Sequence, residues 1–312
     1  MKNTAVITVA FNKSRSLDAC LRSLRTTVNC SYDIFVVDNC SSEDVHSIVK
    51  KYGARYLKLK KNYFASRAIN VGFKKFQIQK RYRNLLILGS DVRVDKYTIT
   101  RLNETLDKHP TIAVTGPGHY DIRSNQLLSY GIMIHRYTSL LENFTDRSVV
   151  QGMNHFHSLY MVKSKVFDAI SGFNQTLFPM IYEEPDLGER CRKLGLEIQA
   201  TPEAKIWHSL DELYMRPSKN TTDERAKRLF NSLPKSYLFF RNRLLYMRLY
   251  SNPVQFIFFL IVVYPVISLW YLRTMDHRYI PTALTGIMHG LYFAVTKNQK
   301  QIKAWNNKIL NI

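Results

Sequence analysis

Thr4-Ala5-Val6-Ile7-Thr8-Val9-Ala10-Phe11-Asn12 opens the chain and governs how the rest of it is read. A short, β-branched, apolar run that ends on a polar residue reads as a strand buried on both faces. Strands of that kind belong to parallel sheets covered by helices. The residues that follow repeat the theme. Ser14 or Ser16 offers a helix cap, and Leu17, Cys20, Leu21 and Leu24 fall on one helical face. Tyr32-Asp33-Ile34-Phe35-Val36-Val37-Asp38 is a second strand, ending on a carboxylate, and Ser41-Ser42-Glu43-Asp44 opens a helix carrying Val45, Ile48 and Val49. A third strand spans residues 55–59, a helix runs over about 66–79, and Asn84-Leu85-Leu86-Ile87-Leu88-Gly89 runs into Ser90-Asp91. Alternation at this spacing predicts an α/β fold with a mixed, mainly parallel sheet flanked by helices. In such sheets ligands gather outside the carboxyl ends of the strands, where Asn12, Asp38 and Asp91 fall.

Between about residues 111 and 157 the pattern loosens into short strands and glycine-containing turns. Helix returns over 163–170 and stops at Ser171-Gly172; another helix is expected from near Asp186 to Gly195, followed by a strand over 196–200. After Arg216 the character changes. A basic, aromatic stretch with Lys235, Tyr237, Phe240, Arg241 and Arg243 leads to two apolar segments, about 254–272 and 280–296. The organisation is therefore a catalytic-type domain over 1–215 and a helical C-terminal region over 216–312. Each apolar segment is near the lower limit of about 17 residues for crossing a bilayer, and Pro265 and His289 interrupt them. Flanking Arg and Lys fit helices that lie in or dip into one leaflet, with a buried hairpin of a soluble domain as the alternative.

A formal charge of +21 and a pI near 9.8 call for an anionic partner: nucleic acid, a phosphorylated substrate or an acidic membrane surface. With 46% hydrophobic residues the chain has material for a full core, which excludes disorder as its default state. Cys20, Cys30, Cys40 and Cys191 show no metal-ligand spacing and are expected to be free thiols. The first residues lack the length and cleavage site of a signal peptide, so the body of the protein is expected in the cytosol.

The second landmark is Tyr182-Glu183-Glu184-Pro185-Asp186-Leu187-Gly188-Glu189-Arg190, with Trp207-His208 downstream. Crowded carboxylates repel one another, and a folded chain keeps them for a helix start, a metal or proton chemistry. His155 and His157 form a His-x-His pair that invites a metal reading of its own.

In order, these motifs resemble glycosyltransferase family 2, enzymes of the GT-A (Rossmann-like) fold. The resemblance rests on Val9-Ala10-Phe11-Asn12, Val37-Asp38-Asn39-Cys40-Ser41-Ser42, Asn62-Tyr63-Phe64, Asn70-Val71-Gly72-Phe73, Leu86-Ile87-Leu88-Gly89-Ser90-Asp91, Gly172-Phe173-Asn174, the acidic stretch from Glu183 to Arg190, and His208. It covers about residues 4–210. Arg241-Asn242-Arg243-Leu244 ahead of an apolar tail is similar to the rhamnosyltransferase-type subgroup that builds surface glycans.

The resemblance implies an inverting transfer of a sugar from a nucleotide-diphosphate donor to a hydroxyl of a glycan or lipid-linked acceptor. It implies Glu184 as the base with Glu183 as its competitor, and Asn12, Asp38, Asn70, Ser90 and Asp91 around the nucleotide sugar. Asp91 and His208 would hold Mg2+ or Mn2+. Gly89 stands where the family has an acidic or amide side chain, which leaves Asp95 as a further candidate oxygen donor. Asp186 and Arg190 would be structural, Asp186 capping the helix and orienting Arg190. The resemblance assigns His155 and His157 to an acceptor-side strand, as substrate contacts or buried strand positions. It also implies work at the cytoplasmic face of a membrane, peripheral or monotopic, with no nucleic acid. Two rivals use the same features otherwise: a non-catalytic protein that binds acidic lipid or nucleic acid, which leaves the carboxylates at the strand ends unexplained, and a nucleotidyltransferase, which would need a glycine-rich phosphate loop where Phe11-Asn12-Lys13-Ser14-Arg15 stands.

Overall fold

The computed structural model describes residues 2–208 and 232–311, so the expected boundary at 215/216 lies outside the described residues. The chain divides into two compact units. The first comprises Met1–Met133, Glu142–Asn174 and Glu184–Ser209; the second comprises Ile134–Leu141, Gln175–Glu183 and Leu210–Ile312.

The first unit carries the sheet. Its strands are β1 (Lys2–Ala10), β2 (Tyr32–Asp38), β3 (Arg55–Lys58), β4 (Tyr82–Gly89), β5 (Arg93–Val94), β6 (Ile112–Asp121), β7 (Leu127–Ser129), and later Leu159–Lys163 and Glu197–His208. Numbering these in chain order after Gly131–Ile134 (β8) and Leu141–Phe144 (β9) makes them β10 and β11. The sheet order is β3-β2-β1-β4-β10-β6-β11-β5, with β7 beside β6. β1 is parallel to both β2 and β4, β6 is parallel to β11, and β10 runs antiparallel between β4 and β6. The mixed, mainly parallel sheet expected from the alternating pattern is the one found.

Helices cover both faces. α1 (Ser14–Leu24), α2 (Val45–Lys51) and α5 (Thr98–Lys108) bury Leu17, Cys20, Leu21, Val49, Ile99 and Leu102 against one face. α3 (Phe64–Lys75), α6 (Ser164–Ala169) and α7 (Glu183–Lys193) cover the other with Phe73, Phe167 and Leu187. The single helix expected over 66–79 is instead α3 followed by the short α4 (Ile78–Arg81), because Gln77 turns into the left-handed region between them. Cys20 and Cys191 are free and buried, and burial pushes both thiols up to about 12.

The second unit is helical: α8 (Leu233–Tyr250), α9 (Pro253–Thr274), α10 (Ile280–Thr296) and α11 (Gln299–Leu310). Among the described residues α9 is the one helix long and apolar enough to cross a membrane. Pro265 does not break it. A π-helical segment, Phe259–Val263, precedes the proline and widens the turn where its ring would otherwise meet a carbonyl. The second apolar segment, α10, is different from expectation on one side: Gly286 and Gly290 bring it so close to α8 that an added Cβ would lie 2.4 Å from the Tyr237 carbonyl oxygen and 2.7 Å from Leu244. That side is core.

Candidate active site

In the sheet order, β1 has β2 on one flank and β4 on the other, so the chain's connections diverge there and make a topological switch point at the strands' carboxyl ends. Residues just past β1 and β4 meet there: Lys13 Nζ lies 2.7 Å from Asp91 Oδ2. The other oxygen of Asp91 lies 3.1 Å from His208 Nε2, at the carboxyl end of β11. His119, near the end of β6, stacks edge-on behind His208 with ring centroids 5.7 Å apart. Burial holds His119 down to about 3, helped by His157 and His208 and opposed by Asp91, so its imidazole is neutral. Its Nε2 is buried without a hydrogen-bond partner.

Gly89 has a local reason. It closes a turn in which the Val92 N–H donates to its carbonyl, and its own N–H donates to Ser158. A Cβ there would lie 3.0 Å from Asp91 Oδ1 and 3.3 Å from the Ser158 carbonyl. The missing side chain lets the Asp91 carboxylate fold over the strand end. Asp95 does not join it; its Oδ1 accepts from the Tyr97 N–H at the entry to α5.

The acidic stretch begins α7 at Glu183, three residues before the expected start at Asp186. Glu184 is therefore in the first helical turn, with its side chain 24% exposed and Oε2 3.7 Å from His157 Nδ1. It borders a small cavity lined also by Asn154, His155, Phe156 and Tyr160. The helix reaches this position because residue 188 is glycine, where a Cβ would lie 2.1 Å from the Asn154 carbonyl oxygen. Asp186 is fully buried and binds Arg190 at 2.8 Å; Arg190 in turn donates to the carbonyls of Ile170 and Gly172. Asp186, the fourth residue of the helix, is therefore not its cap as expected; both residues fasten α7 to the turn after α6.

The expected nucleotide residues are distributed differently from one another. Asn12 is exposed, has a positive φ, and accepts from the N–H and hydroxyl of Ser42. It bridges the loops after β1 and β2. Asp38 stands at its predicted strand end but is fully buried: it accepts from the Ser41 N–H at 2.8 Å and the Tyr56 hydroxyl at 2.7 Å, with Lys58 at 3.8 Å. The carboxylate braces the 39–41 loop from beneath. Asn70 is also buried, and its amide grips the Phe173 backbone at both N–H and carbonyl, each at 2.9 Å. Ser90 is buried beside Asp91.

Lys13 and His119 belong to this group and were not among the expected residues for it; His157, expected as a substrate contact or a buried strand position, stands beside Glu184. Lys13 follows the Phe11-Asn12 strand end directly, which was a usable signal. His119 carried no local signal, since only the β6–β11 register brings it to this edge.

Asp91 and His208 fit a divalent cation. Their 3.1 Å separation is close to that of neighbouring ligands around an ion bound at about 2.1 Å, and one carboxylate with one imidazole suits Mn2+ as well as Mg2+.

A model of the family described as glycosyl transferase family 2 matches residues 5–167, more than half of the chain. No curated protein matches the chain. Among solved structures, GalNAc-T7 crystallised with UDP, GalNAc and Mn2+ is similar at 13% identity and a TM-score of 0.57, covering 78% of this chain. The chain spans about half (51%) of that protein's length. S. aureus TarS 1-349 is similar at 14% identity and a TM-score of 0.52, covering 98% of this chain and 91% of that one. These likenesses show the GT-A fold.

Proposed function

The chain belongs to glycosyl transferase family 2, and from that premise we propose that it moves a hexose or deoxyhexose from a nucleotide-diphosphate sugar to a hydroxyl of a glycan or lipid-linked acceptor, with inversion. The observation that carries the reading is the meeting of Asp91, His208 and Lys13 at one carboxyl edge of the sheet, with Glu184 beside His157 on the same unit. Asp91 and His208 hold Mg2+ or Mn2+, which when bound neutralises the diphosphate and assists its departure. Lys13 adds a cation at the same edge. Asn12 and the loop braced by Asp38 shape the nucleotide side, with Ser90 supporting Asp91 and Asn70 holding the Gly172-Phe173 turn. Glu184 accepts the proton of the acceptor hydroxyl as that oxygen attacks the anomeric carbon. Glu183, one residue earlier on α7, is the competing carboxylate.

The Arg241-Asn242-Arg243-Leu244 stretch supports a place near the rhamnosyltransferase-type enzymes of surface-glycan synthesis. Val254, Ile257, Ile261, Val266 and Leu269 on α9 are exposed, with Arg273 and Arg278 following. That apolar, cation-flanked face fits peripheral or monotopic contact with the cytoplasmic face of a membrane.

Thermal melting of the full chain with UDP-, GDP- and dTDP-sugars plus Mn2+ tests the donor reading, because a ligand that binds only the folded state raises its melting temperature. One donor should stabilise the wild type and not Asp91→Ala; stabilisation by none, or equally in both, rejects the reading. Vesicle flotation tests the membrane reading. Ile261→Glu with Val266→Glu should abolish recovery with anionic vesicles while leaving the melting temperature unchanged, and undiminished recovery rejects it.

A further inference from the structure

The transfer reaction gives His155 no role and asks no chemistry of His157. His155, His157 and Glu184 each present one ligand atom, and these atoms lie within 4.8 Å of one another. It is the one such group of His, Cys, Asp or Glu among the described residues. One pair, His157 Nδ1 and Glu184 Oε2, is 3.7 Å apart. Ligands of a tetrahedral ion bound at 2.0–2.1 Å are about 3.3 Å apart, so binding draws the set together from spacings of up to 4.8 Å. His155 is 5% exposed, and its Nδ1 is buried with no hydrogen-bond partner. A buried imidazole nitrogen without a partner is costly. The backbone of His155 is fixed by two hydrogen bonds to Ile132, so the ring stands on a rigid support. The rings of His155 and His157 are edge-on at 5.3 Å.

We propose that His155, His157 and Glu184 form a second metal site, selective for a nitrogen-preferring divalent ion such as Zn2+, whose occupancy silences the enzyme. Two imidazoles and one carboxylate favour Zn2+ over Mg2+, which takes oxygen donors. The site is separate in chemistry from Asp91 and His208. A cation on Glu184 neutralises its charge and lowers its basicity, so the occupied site is a poorer acceptor for the proton of the attacking hydroxyl. The silencing rests on Glu184 being the base; the binding does not.

Titration of metal-stripped full-chain protein with ZnCl2 alone, followed by calorimetry, tests the site, and Co2+ absorbance reports its coordination. The Asp91→Ala protein should still bind one Zn2+, and Co2+ should give the intense visible bands of a low-coordinate site. His157→Gln and Glu184→Gln should each weaken Zn2+ by about tenfold or more; His157→Gln, on a partly exposed side chain, should keep its Mn2+ affinity and its melting temperature. Unchanged Zn2+ affinity in both variants, or loss of Zn2+ with Asp91→Ala alone, overturns the site. In wild type, Zn2+ should suppress Mn2+-supported transfer, and the fraction of each protein's own Zn2+-free rate that Zn2+ removes should be smaller in His157→Gln. Zn2+ that binds here without suppressing transfer overturns the silencing and the base assignment, and leaves the metal site standing. Absent Zn2+ binding together with an inactive Glu184→Gln overturns the metal site and leaves the base.

Discussion

Partly solvated carboxylates of the first unit contrast with a buried cation of the second. In the first, Asp91 and Glu184 keep side-chain exposures of 17% and 24% at the edge of the sheet, where each stands beside a histidine. In the second, Arg241 is fully buried on α8, and its bonds go to neutral groups: the Asn242 and Asn306 amides, the Leu177 carbonyl and the Tyr237 hydroxyl. Asn242 beside it donates to the carbonyls of Met180 and Ile181. A partly solvated carboxylate can bind a cation or take a proton because it is only partly desolvated. A guanidinium buried among carbonyls can do neither; it holds a loop. That loop contains Ile181 and Tyr182, both at positive φ, a conformation that costs a β-branched residue about 1–3 kcal/mol. The strain persists because the Asn242 bonds and the stacking of Tyr182 on Tyr246 determine the loop. Buried Arg241 is architectural in the second unit, as buried Asp38 and the Asp186–Arg190 pair are in the first, whereas Asp91 and Glu184 stay partly solvated.

That contrast can be broken most decisively at Glu184. Glu184→Gln should lower transfer by about 10²- to 10⁴-fold, the usual contribution of a general base, with the melting temperature retained; near-normal turnover would remove Glu184 from the chemistry. Arg241→Ala should do the reverse in kind. It leaves several buried acceptors without a donor, at about 1–3 kcal/mol each, so denaturant unfolding should show a loss of about 3 kcal/mol or more; a stable Arg241→Ala protein would show that the buried cation is dispensable. Gly188→Ala sharpens the boundary between the two kinds of effect. Its Cβ would strike the Asn154 carbonyl, and overpacking of this sort costs about 1–3 kcal/mol. Because the shift falls on the helix that carries Glu184, both stability and turnover should drop.

The smallest effect is on the surface of the first unit, at Asp18. Bonds from Lys51, then from Arg22 and Tyr52, outweigh burial and hold its carboxyl down at about 2. A depressed folded value means the stabilisation is complete above the ordinary carboxylate range and is lost as pH falls from about 4 towards 2. Since the cluster is exposed to solvent, Asp18→Asn should cost under about 1 kcal/mol at neutral pH and should flatten the acid limb of the stability profile. An unaltered acid limb would mean these contacts contribute nothing.

What the sequence by itself determined is local. The β-branched runs of β1, β2 and β4 and the helical spacing of Leu17, Cys20, Leu21 and Leu24 follow from periodicities of two and 3.6 residues, which neighbouring side chains carry without help from distant ones. Asn12 and Asp91 were legible at strand ends for the same reason, and His208 through its place after a late strand. The tertiary structure decided what each polar group does. Asn70 meets Phe173, 103 residues away, and so became a clamp. Asp38 was closed over by Tyr56 from the neighbouring strand. His119 entered the site through the β6–β11 register. No local pattern encodes such meetings, because they exist only after the sheet has chosen its order and the chain has closed loops that carry no periodic signal.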